Sequence, residues 1–454
     1  MKSIIRNVFF PIHELIKGHD TLSYLYQLEK SQWFSREQLC ELQSKKLRQF
    51  ISHVYINVPY YKKFFDSDKM ADDVISTIAD IRTLPFLTKD LIRENIETLK
   101  SEKTKGLIKS NTGGSTGEPL IFYLCKRRIS ADVAAKLRAT RWWGVDIGDP
   151  EIVIWGSPVE LKKQDIVRNI RDRLFRTRLL SAFDMSEKKI NEYISIIKKY
   201  KPKHIFGYPS SIYILSKFAK QNNIKLHDIG IKVVFCTAER LYDYQRELIS
   251  DVFNAPIANG YGGRDAGFIA HECPQGGMHI TAESTIVEIV DHDGNPLPPG
   301  YRGEIVVTHL ASHDFPFIRY KTGDIGVLSD DSCLCGRGLP LLKNIEGRAI
   351  DFIITPDGKI MHGLSLIYVL RELHGIKEFK IIQEEPDYFI IDIVRSSDFK
   401  IENETLIRNR FKKRIGSDIK INFNYPSKIK AENSGKFRYV VSNVQHPITQ
   451  SLID

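Results

Sequence analysis

The stretch Ser110–Leu120, reading SNTGGSTGEPL, holds the densest set of groups able to grip an anion. Gly113, Gly114 and Gly117 lie among Ser110, Thr112, Ser115 and Thr116. Glycines let a backbone close on a ligand and turn its N–H groups toward it, and hydroxyls add donors. Such a loop suits a polyphosphate. It suits a flexible Gly/Ser turn between strands equally well. It is not a P-loop of the GxxxxGK[ST] kind, because no Lys follows the second glycine. An extended apolar-aromatic run, Leu120–Leu124, comes directly behind it.

A chain of 454 residues, 42% hydrophobic and 27% charged, has room for two or three soluble domains and a substantial core. Lys and Arg exceed Asp and Glu by 66 to 56, a net charge of +10. The cations are scattered rather than gathered into one tract, which argues against specific nucleic-acid binding. The apolar run Val8–Pro11 is too short for a signal core, and His13, Glu14 and Lys17 follow at once. No run approaches a bilayer span. The expected location is therefore the cytoplasm. Six cysteines in so long a chain do not make a disulfide scaffold.

The elements that must position the loop are legible in part. Residues 1 to 100 read as a helical lead-in, with apolar residues at helical spacing over Leu22–Leu28 and Leu39–Val54. The aromatics around Pro59 read as core, and Thr88 as a helix N-cap. Helices are expected at Ile129–Arg141, Ser186–Tyr200, Ser210–Gln221 and Tyr242–Phe253. Strands are expected at Glu151–Gly156, His204–Gly207, Ile231–Cys236 and Pro256–Tyr261. That alternation predicts an α/β fold with a mainly parallel sheet, whose ligands bind beyond the C-terminal strand ends. The loops Thr237–Leu241 and Tyr261–Gly267 fall there. Thr285–Asp291 and Gly303–Leu310 flank the turn-rich DGNPLPPGYRG and read as an antiparallel pair. From residue 347 a fresh pattern begins. Strands near Phe352–Thr355, Phe379–Glu384, Tyr388–Val394 and Lys420–Tyr425, with helices at Leu364–His374 and Ile401–Arg414, form a compact α+β unit. The expected domains are 1–346 and 347–454.

Further short motifs follow the glycine loop in order: CTAERL at 236–241, YGGRDAG at 261–267, RYKTGDIG at 319–326, EGRAIDF at 346–352 and NSGKFRY at 433–439. This order resembles the adenylate-forming superfamily, the acyl-CoA synthetases and their relatives. More narrowly it is similar to the phenylacetate–CoA ligase branch and its capsular-polysaccharide-associated relatives. VPYYKKFF and LPFLTKDLIREN resemble that branch as well. Each motif alone is weak; the ordered series, from residue 50 to 440, is strong.

The resemblance implies a large N-terminal adenylate-forming domain with a small mobile α+β C-terminal domain. It makes Ser110–Gly117 the phosphate loop. Thr237, Ala238 and Glu239 line the adenine pocket, with Tyr261 and Gly262 beside it, and Tyr261 stacks on the base or closes the acyl pocket. Asp265 stands where the family has a Glu that carries Mg²⁺, and Arg264 replaces a small hydroxyl residue. Asp324 accepts both ribose hydroxyls, which two carboxylate oxygens suit. Arg348 is the hinge arginine, although Ile350 stands where a hinge carboxylate is usual and Asp351 follows it. Lys436 approaches the acyl carboxylate and α-phosphate when the C-terminal domain closes. Lysines that often flank the loop's proline are missing, Glu118 and Leu120 standing beside Pro119. Charge neutralisation then falls to Mg²⁺, Arg348 and Lys436.

Cys333 and Cys335 form CLCG, and Cys273 lies in HECPQGGMH. Thiolates and imidazole around a close CxC pair suit tetrahedral Zn²⁺. Similar Cys/His insertions occur in this branch, and the expected ligands are Cys273, His279, Cys333 and Cys335, with His271 the rival histidine. Such a site is structural, pinning the loop after Tyr261 to the hairpin region. Three reduced loop cysteines are the alternative. Cys40, Cys125 and Cys236 read as isolated core thiols. Trp155 and Tyr208, with Phe206 and Pro209, either wall an acyl pocket or belong to the core.

The resulting expectation is an enzyme that activates a carboxylic acid with MgATP as acyl-AMP and passes it to a thiol, coenzyme A first among acceptors. Amide transfer to a sugar or amino-acid acceptor in polysaccharide biosynthesis is the alternative, and a non-catalytic scaffold retaining the fold is the rival class. The partners are small molecules, with no specific nucleic acid and no transmembrane segment. A homodimer stays open.

Overall fold

The structure, a computed structural model, describes residues 1–67, 75, 77–104, 106–112, 120–155, 165–182, 185–291, 293–346, 352–429 and 439–444. The chain opens with α1 (Lys2–Ile4) and α2 (Phe10–Lys17), joined by a π-helical turn over Ile5–Phe9. Gly18, left-handed at φ 65°, ends α2. Then come α3 (Thr21–Ser31), α4 (Arg36–Asn57), α5 (Pro59–Ser67) and α6 (Lys89–Glu94). A capping box at Ser35 and Gln38 starts α4. The Thr88 side chain accepts the Leu91 N–H and starts α6, as its sequence signal predicts. Tyr61 and Phe65 are buried in one cluster with Phe50, Val54 and Phe317, so the aromatics around Pro59 are core. Cys40 corrects its expectation. It is exposed, because it sits one residue round α4 from the buried Leu39.

The hairpin β1 (Ile108–Asn111) and β2 (Ile121–Leu124) frames the glycine loop, with Ser110 paired to Phe122. Ser110 is therefore a strand residue rather than part of a loose turn. Gly113, Gly114, Ser115, Thr116 and Gly117 lie outside the described residues. So do Arg348, Ile350, Asp351 and Lys436.

After α7 (Lys126–Trp142), the βα rhythm runs β3 (Glu151–Trp155), α8 (Asp165–Leu174), β4 (Thr177–Ser181), α9 (Glu187–Tyr200), β5 (His204–Gly207), α10 (Pro209–Gln221), β6 (Val233–Thr237), α11 (Asp243–Phe253) and β7 (Ile257–Gly263). These five strands pair in parallel, in the order β7-β6-β5-β3-β4. Ile152, Ile154, Ile205, Val234 and Ile257 are buried with apolar residues of α9, α10 and α11, as a parallel sheet covered by helices requires.

The sheet continues past β7 rather than stopping there. β8 (Gly267–Glu272) folds back antiparallel on β7 through a loop too short for a crossover. β9 (Met278–Ile280), β10 (Thr285–Val290), β11 (Arg302–His309), β12 (Tyr320–Ser329) and β13 (Leu341–Glu346) extend it in the order β10-β11-β12-β13-β9-β8-β7, all antiparallel. The expected β10–β11 pair forms, with Val287 opposite Val307. One sheet of 11 strands thus has a parallel half and an antiparallel half.

In the C-terminal part, β14 (Phe352–Ile354) and β15 (Ile360–His362) form a hairpin, followed by α12 (Leu364–Arg371). Then β16 (Ile376–Glu385), β17 (Tyr388–Arg395), α13 (Glu402–Ile415), β18 (Lys420–Asn424) and β19 (Val440–Ser442) build a four-stranded sheet in the order β18-β17-β16-β19. Leu366 and Leu370 of α12 and Ile407 and Phe411 of α13 cover Phe379, Ile381, Phe389 and Ile391 in a separate apolar core. Among the described residues, no helix is long and apolar enough to cross a membrane.

Candidate active site and metal centre

Four neighbouring parallel strands end on one line. Ile154 pairs with Gly207, Gly207 with Cys236, and Thr237 with Gly260. Trp155, Tyr208, Ala238 and Tyr261 therefore project from the same edge, the carboxyl ends where such sheets bind ligands. Thr237 Oγ1 donates to the Gly260 carbonyl at 2.8 Å, tying β6 to β7. Ala238 takes φ 71°, a left-handed conformation costly for a residue with a Cβ. Glu239 accepts the Ser210 N–H at 3.3 Å, in the first turn of α10. Its carboxylate bridges the CTAERL and FGYPS loops.

The Tyr261 hydroxyl donates to Asp324 Oδ2 at 3.0 Å. Burial, then the Asp324 charge, push the Tyr261 hydroxyl well above its ordinary range, so the proton stays on the tyrosine. Asp324 itself is held by its own N–H, which donates to Thr322 Oγ1 at 3.1 Å, while that hydroxyl donates to the Ile305 carbonyl at 2.8 Å. Gly323 between them takes φ 77°. A Cβ on Gly262 would stand 2.2 Å from the Gly267 carbonyl oxygen, so the first glycine of YGGRDAG is sterically required.

Asp265 is fixed on both oxygens. Oδ2 accepts the Tyr320 hydroxyl at 2.6 Å and Oδ1 the Ala266 N–H at 3.0 Å. Each oxygen retains a lone pair, so the carboxylate can still take a hard cation. Behind it stands a cluster that sequence reasoning missed. Arg128 of α7, 1% exposed, donates to the Asp265 carbonyl at 2.5 Å and to Ser312 Oγ at 3.1 Å. One turn on, Asp132 Oδ1 accepts the Phe268 N–H at 3.2 Å and lies 3.1 Å from His309 Nε2. Burial alone would raise the Asp132 carboxyl, but His309 and Arg128 outweigh it and hold it below the ordinary range. Both ends of the Asp265–Phe268 turn are thus clamped from one helix. Gly267, at φ 84°, has no room for a Cβ against His309 and Asp132. The i,i+4 spacing of Arg128 and Asp132 is the only hint of this in the sequence.

Arg319 of RYKTGD serves the frame. Its guanidinium meets both Glu288 oxygens at 3.1 Å, donates to the Arg82 and Leu84 carbonyls, and lies 4.0 Å from the Phe86 ring centroid. It ties the LPF segment to the start of β12. On the opposite side of the edge, Trp155 and Tyr208 stack at 4.2 Å and 19°. Phe206 lies 6.0 Å from Trp155, and Pro209 starts α10.

The cysteine expectations converge on one point. Cys273 Sγ lies 3.5 Å from Cys333 Sγ, and His279 Nε2 lies 3.2 Å from Cys335 Sγ. All four donor atoms fall within 4.8 Å of one another. Cys273-Pro-Gln-Gly276 and Cys333-Leu-Cys-Gly336 form matching turns, each closed by the glycine N–H on the first cysteine's carbonyl at 2.9 and 3.1 Å. Gly277 makes the approach possible, since a Cβ there would lie 2.6 Å from Cys333 Sγ. His279 Nδ1 sits 3.3 Å from the Leu339 carbonyl, which turns Nε2 toward the sulfurs. Two thiols beside a third and one oriented imidazole fit a tetrahedral soft-ligand cation such as Zn²⁺. Burial pushes the Cys273 thiol up to about 12, a preference that a bound cation would reverse. His271 stacks on Phe268 at 5.1 Å and is not in the cluster. The cluster joins the β8–β9 turn to the β12–β13 connection, not to the β10–β11 hairpin, because β9 sits between β8 and β13.

Known proteins resemble this chain in sequence and in fold. The CapK C-terminal domain family matches residues 353–443. Protein CapK of Staphylococcus aureus is 27% identical over 413 residues, 90% of each chain. A phenylacetate-coenzyme A ligase of Aromatoleum evansii is 26% identical over 343 residues, 72% of this chain and 74% of that one. A crystal structure of 2-hydroxyisobutyryl-CoA ligase, in complex with 2-HIB-AMP and CoA, superimposes with a TM-score of 0.64 at 18% identity, covering 92% of this chain and 93% of that one. The fold is that of the adenylate-forming ligases. In sequence the chain is similar over most of its length to protein CapK and to phenylacetate-coenzyme A ligases.

Proposed function

We propose that this AMP-forming carboxylate ligase joins a carboxylic acid to AMP and passes the acyl group to a thiol, with coenzyme A the first candidate. The observation that carries the reading is the Tyr261–Asp324 pair, fixed on the ligand edge of the sheet across from the Trp155–Tyr208 stack. In this reading Asp324 accepts the ribose hydroxyls of ATP, and Thr237, Ala238 and Glu239 line the adenine. Ser110, Thr112, Gly113, Gly114, Ser115, Thr116 and Gly117 cradle the phosphates. Asp265 would hold Mg²⁺, whose charge would screen the phosphates from the incoming carboxylate.

Lys436 and Arg348 supply cations at the α-phosphate when residues 347–454 close over residues 1–346. The reaction needs in-line attack by one anion on another, so cations brought in at closure lower the barrier selectively. Zn²⁺ at Cys273, His279, Cys333 and Cys335 is structural, holding the β8–β9 turn behind the Asp265 loop. Trp155 and Tyr208 offer flat apolar walls suited to an aromatic or other compact acid. ATP–pyrophosphate exchange over a panel of carboxylic acids tests the reading. Wild type should exchange with at least one acid and Lys436→Ala should not. Equal exchange in both would overturn the role of Lys436.

A second reading is favoured by the match to CapK over 90% of both chains. There the acceptor is an amine, and an amide is formed in the assembly of a capsular or exported polysaccharide. Supplying the preformed adenylate with coenzyme A or with amino sugars separates the two acceptors.

A further inference from the structure

The first helical segment, α1 through α2, leaves a stripe of apolar side chains uncovered. Ile4 is 54% exposed, Val8 44%, Ile12 50%, Leu15 80% and Ile16 78%. Residues four apart in an α-helix drift by about 40° per step at 100° per residue. The wider π turn over Ile5–Phe9 opposes that drift and keeps Ile4, Val8, Ile12 and Ile16 on one side. The opposite side is the anchored one. Ile5 and Phe10 are buried beside Ile147, and Phe10 meets the Phe175 ring edge-on at 5.9 Å. The stripe is therefore held outward by a well-packed seat, not left by fraying. Phe9 and, from α3, Tyr26 at 60% exposure extend the apolar surface.

The exposed charges around the stripe are predominantly cationic. Glu14, the single carboxylate of this segment, is 6% exposed and faces His13 and His19. Lys2, Arg6 and Lys17 lie along its flanks, the first two also paired with Asp149 and Asp146. The Lys126 ammonium packs against Gly18 at the end of α2, and Arg127 donates to the Tyr24 hydroxyl nearby. Lys30 lies over the Tyr26 ring at 4.1 Å. Asp20 is the exposed acid that follows the helix.

An isologous contact between two copies would set this cation-bearing rim against itself. An anionic, apolar-backed surface satisfies both the stripe and the rim. A helix of this length with an apolar stripe and flanking Lys and Arg lies in a lipid interface rather than crossing it. We propose that the α1–α2 face docks reversibly on an anionic phospholipid membrane, with Ile4, Val8, Ile12, Leu15 and Ile16 entering the interface. Nothing in this requires the ligase reading to hold.

Flotation of the full chain with vesicles of phosphatidylglycerol and phosphatidylcholine in equal parts, or of phosphatidylcholine alone, tests it. Wild type should float with the anionic vesicles, less so as salt screens the charges. Leu15→Asp/Ile16→Asp should lower binding about tenfold or more while leaving the unfolding midpoint unchanged, since both side chains already face solvent. Lys17→Glu/Lys126→Glu should lower binding to the anionic vesicles by a similar factor. Failure of wild type to float, or equal flotation of the aspartate variant, overturns the proposal. So does a concentration-dependent dimer in sedimentation that the aspartate variant abolishes without any vesicle binding by wild type; that result would assign the stripe to a second copy.

Discussion

Tyr261 and Asp324 lie 63 positions apart in the chain, yet the phenol of one donates to the carboxylate of the other at 3.0 Å. A hydrogen bond to a charged acceptor contributes about 1.5–3 kcal/mol. Tyr261→Phe should remove this donor from Asp324 and weaken ATP binding about tenfold. Asp324→Asn should weaken it further, since it removes the charge. Calorimetric titration of ATP into each variant measures both. An unchanged affinity in Tyr261→Phe would reduce the tyrosine to packing.

The Arg128–Asp132 clamp makes a different prediction. Arg128→Met leaves Asp132 with only His309 and the Phe268 N–H as partners and strips the Asp265 and Ser312 contacts. Loss of one partner from such a buried network costs about 3–5 kcal/mol. Denaturant unfolding should show that loss. Arg128→Lys should recover only part of it, because an ammonium cannot make the fork to Asp265 and Ser312 together.

The Cys/His cluster predicts one tightly held zinc per chain, readable by elemental analysis of purified protein. Cys335→Ser or a strong chelator should remove it and lower the unfolding midpoint. Cys40→Ser should do neither, since Cys40 is exposed on α4, far in sequence from the other thiols.

Acid should destabilise the fold through His313. Its imidazole is held at about 3, by burial first and then by Arg127 and His53, against an ordinary value of 6.5. The unfolded chain takes up a proton here as pH falls through 6.5, while the folded chain resists until about 3. Stability present above 6.5 therefore declines across that window, by up to about 1.4 kcal/mol per pH unit. His313→Phe keeps an aromatic ring beside Phe50 and His53 and should flatten the dependence of unfolding free energy on pH between 6.5 and 4.

Trp155→Ala should widen the space beside Tyr208. Exchange with bulkier acids should rise relative to small ones, with the ATP affinity unaltered. A proportional loss for every acid would make the stack a structural feature of the edge.

Much of this was readable from residue order. Thr88 announced α6 because an N-cap signal is local. α9, α10 and α11 were visible because their apolar periodicity needs no knowledge of what they pack on. β4 was not, since TRLLS is a short edge strand with one Arg and little alternation. The antiparallel half of the sheet was read only at β10–β11, where a turn-rich connector marks the hairpin. β8 and β9 carry histidines and a glutamate that serve tertiary partners, which hides a strand pattern. At the site, side chains in motifs were legible: Tyr261, Asp324 and the four residues of the Cys/His cluster. Arg128 and Asp132 were not, because they grip backbone atoms of a segment 136 and more positions away. No residue type at the receiving end records such a bond.

The unbroken sheet has a consequence for how such a protein diversifies. The aromatic wall stands at the ends of β3 and β5, in the parallel half, whereas Asp265, Asp324 and the cysteine cluster depend on β7 and the antiparallel half. The two groups share a rigid ladder but stand on different strands. Substitutions at Trp155 or Tyr208 can therefore be sampled almost independently of the acidic residues. In the proposed reading, a lineage can exchange the acid it accepts while inheriting the other half intact.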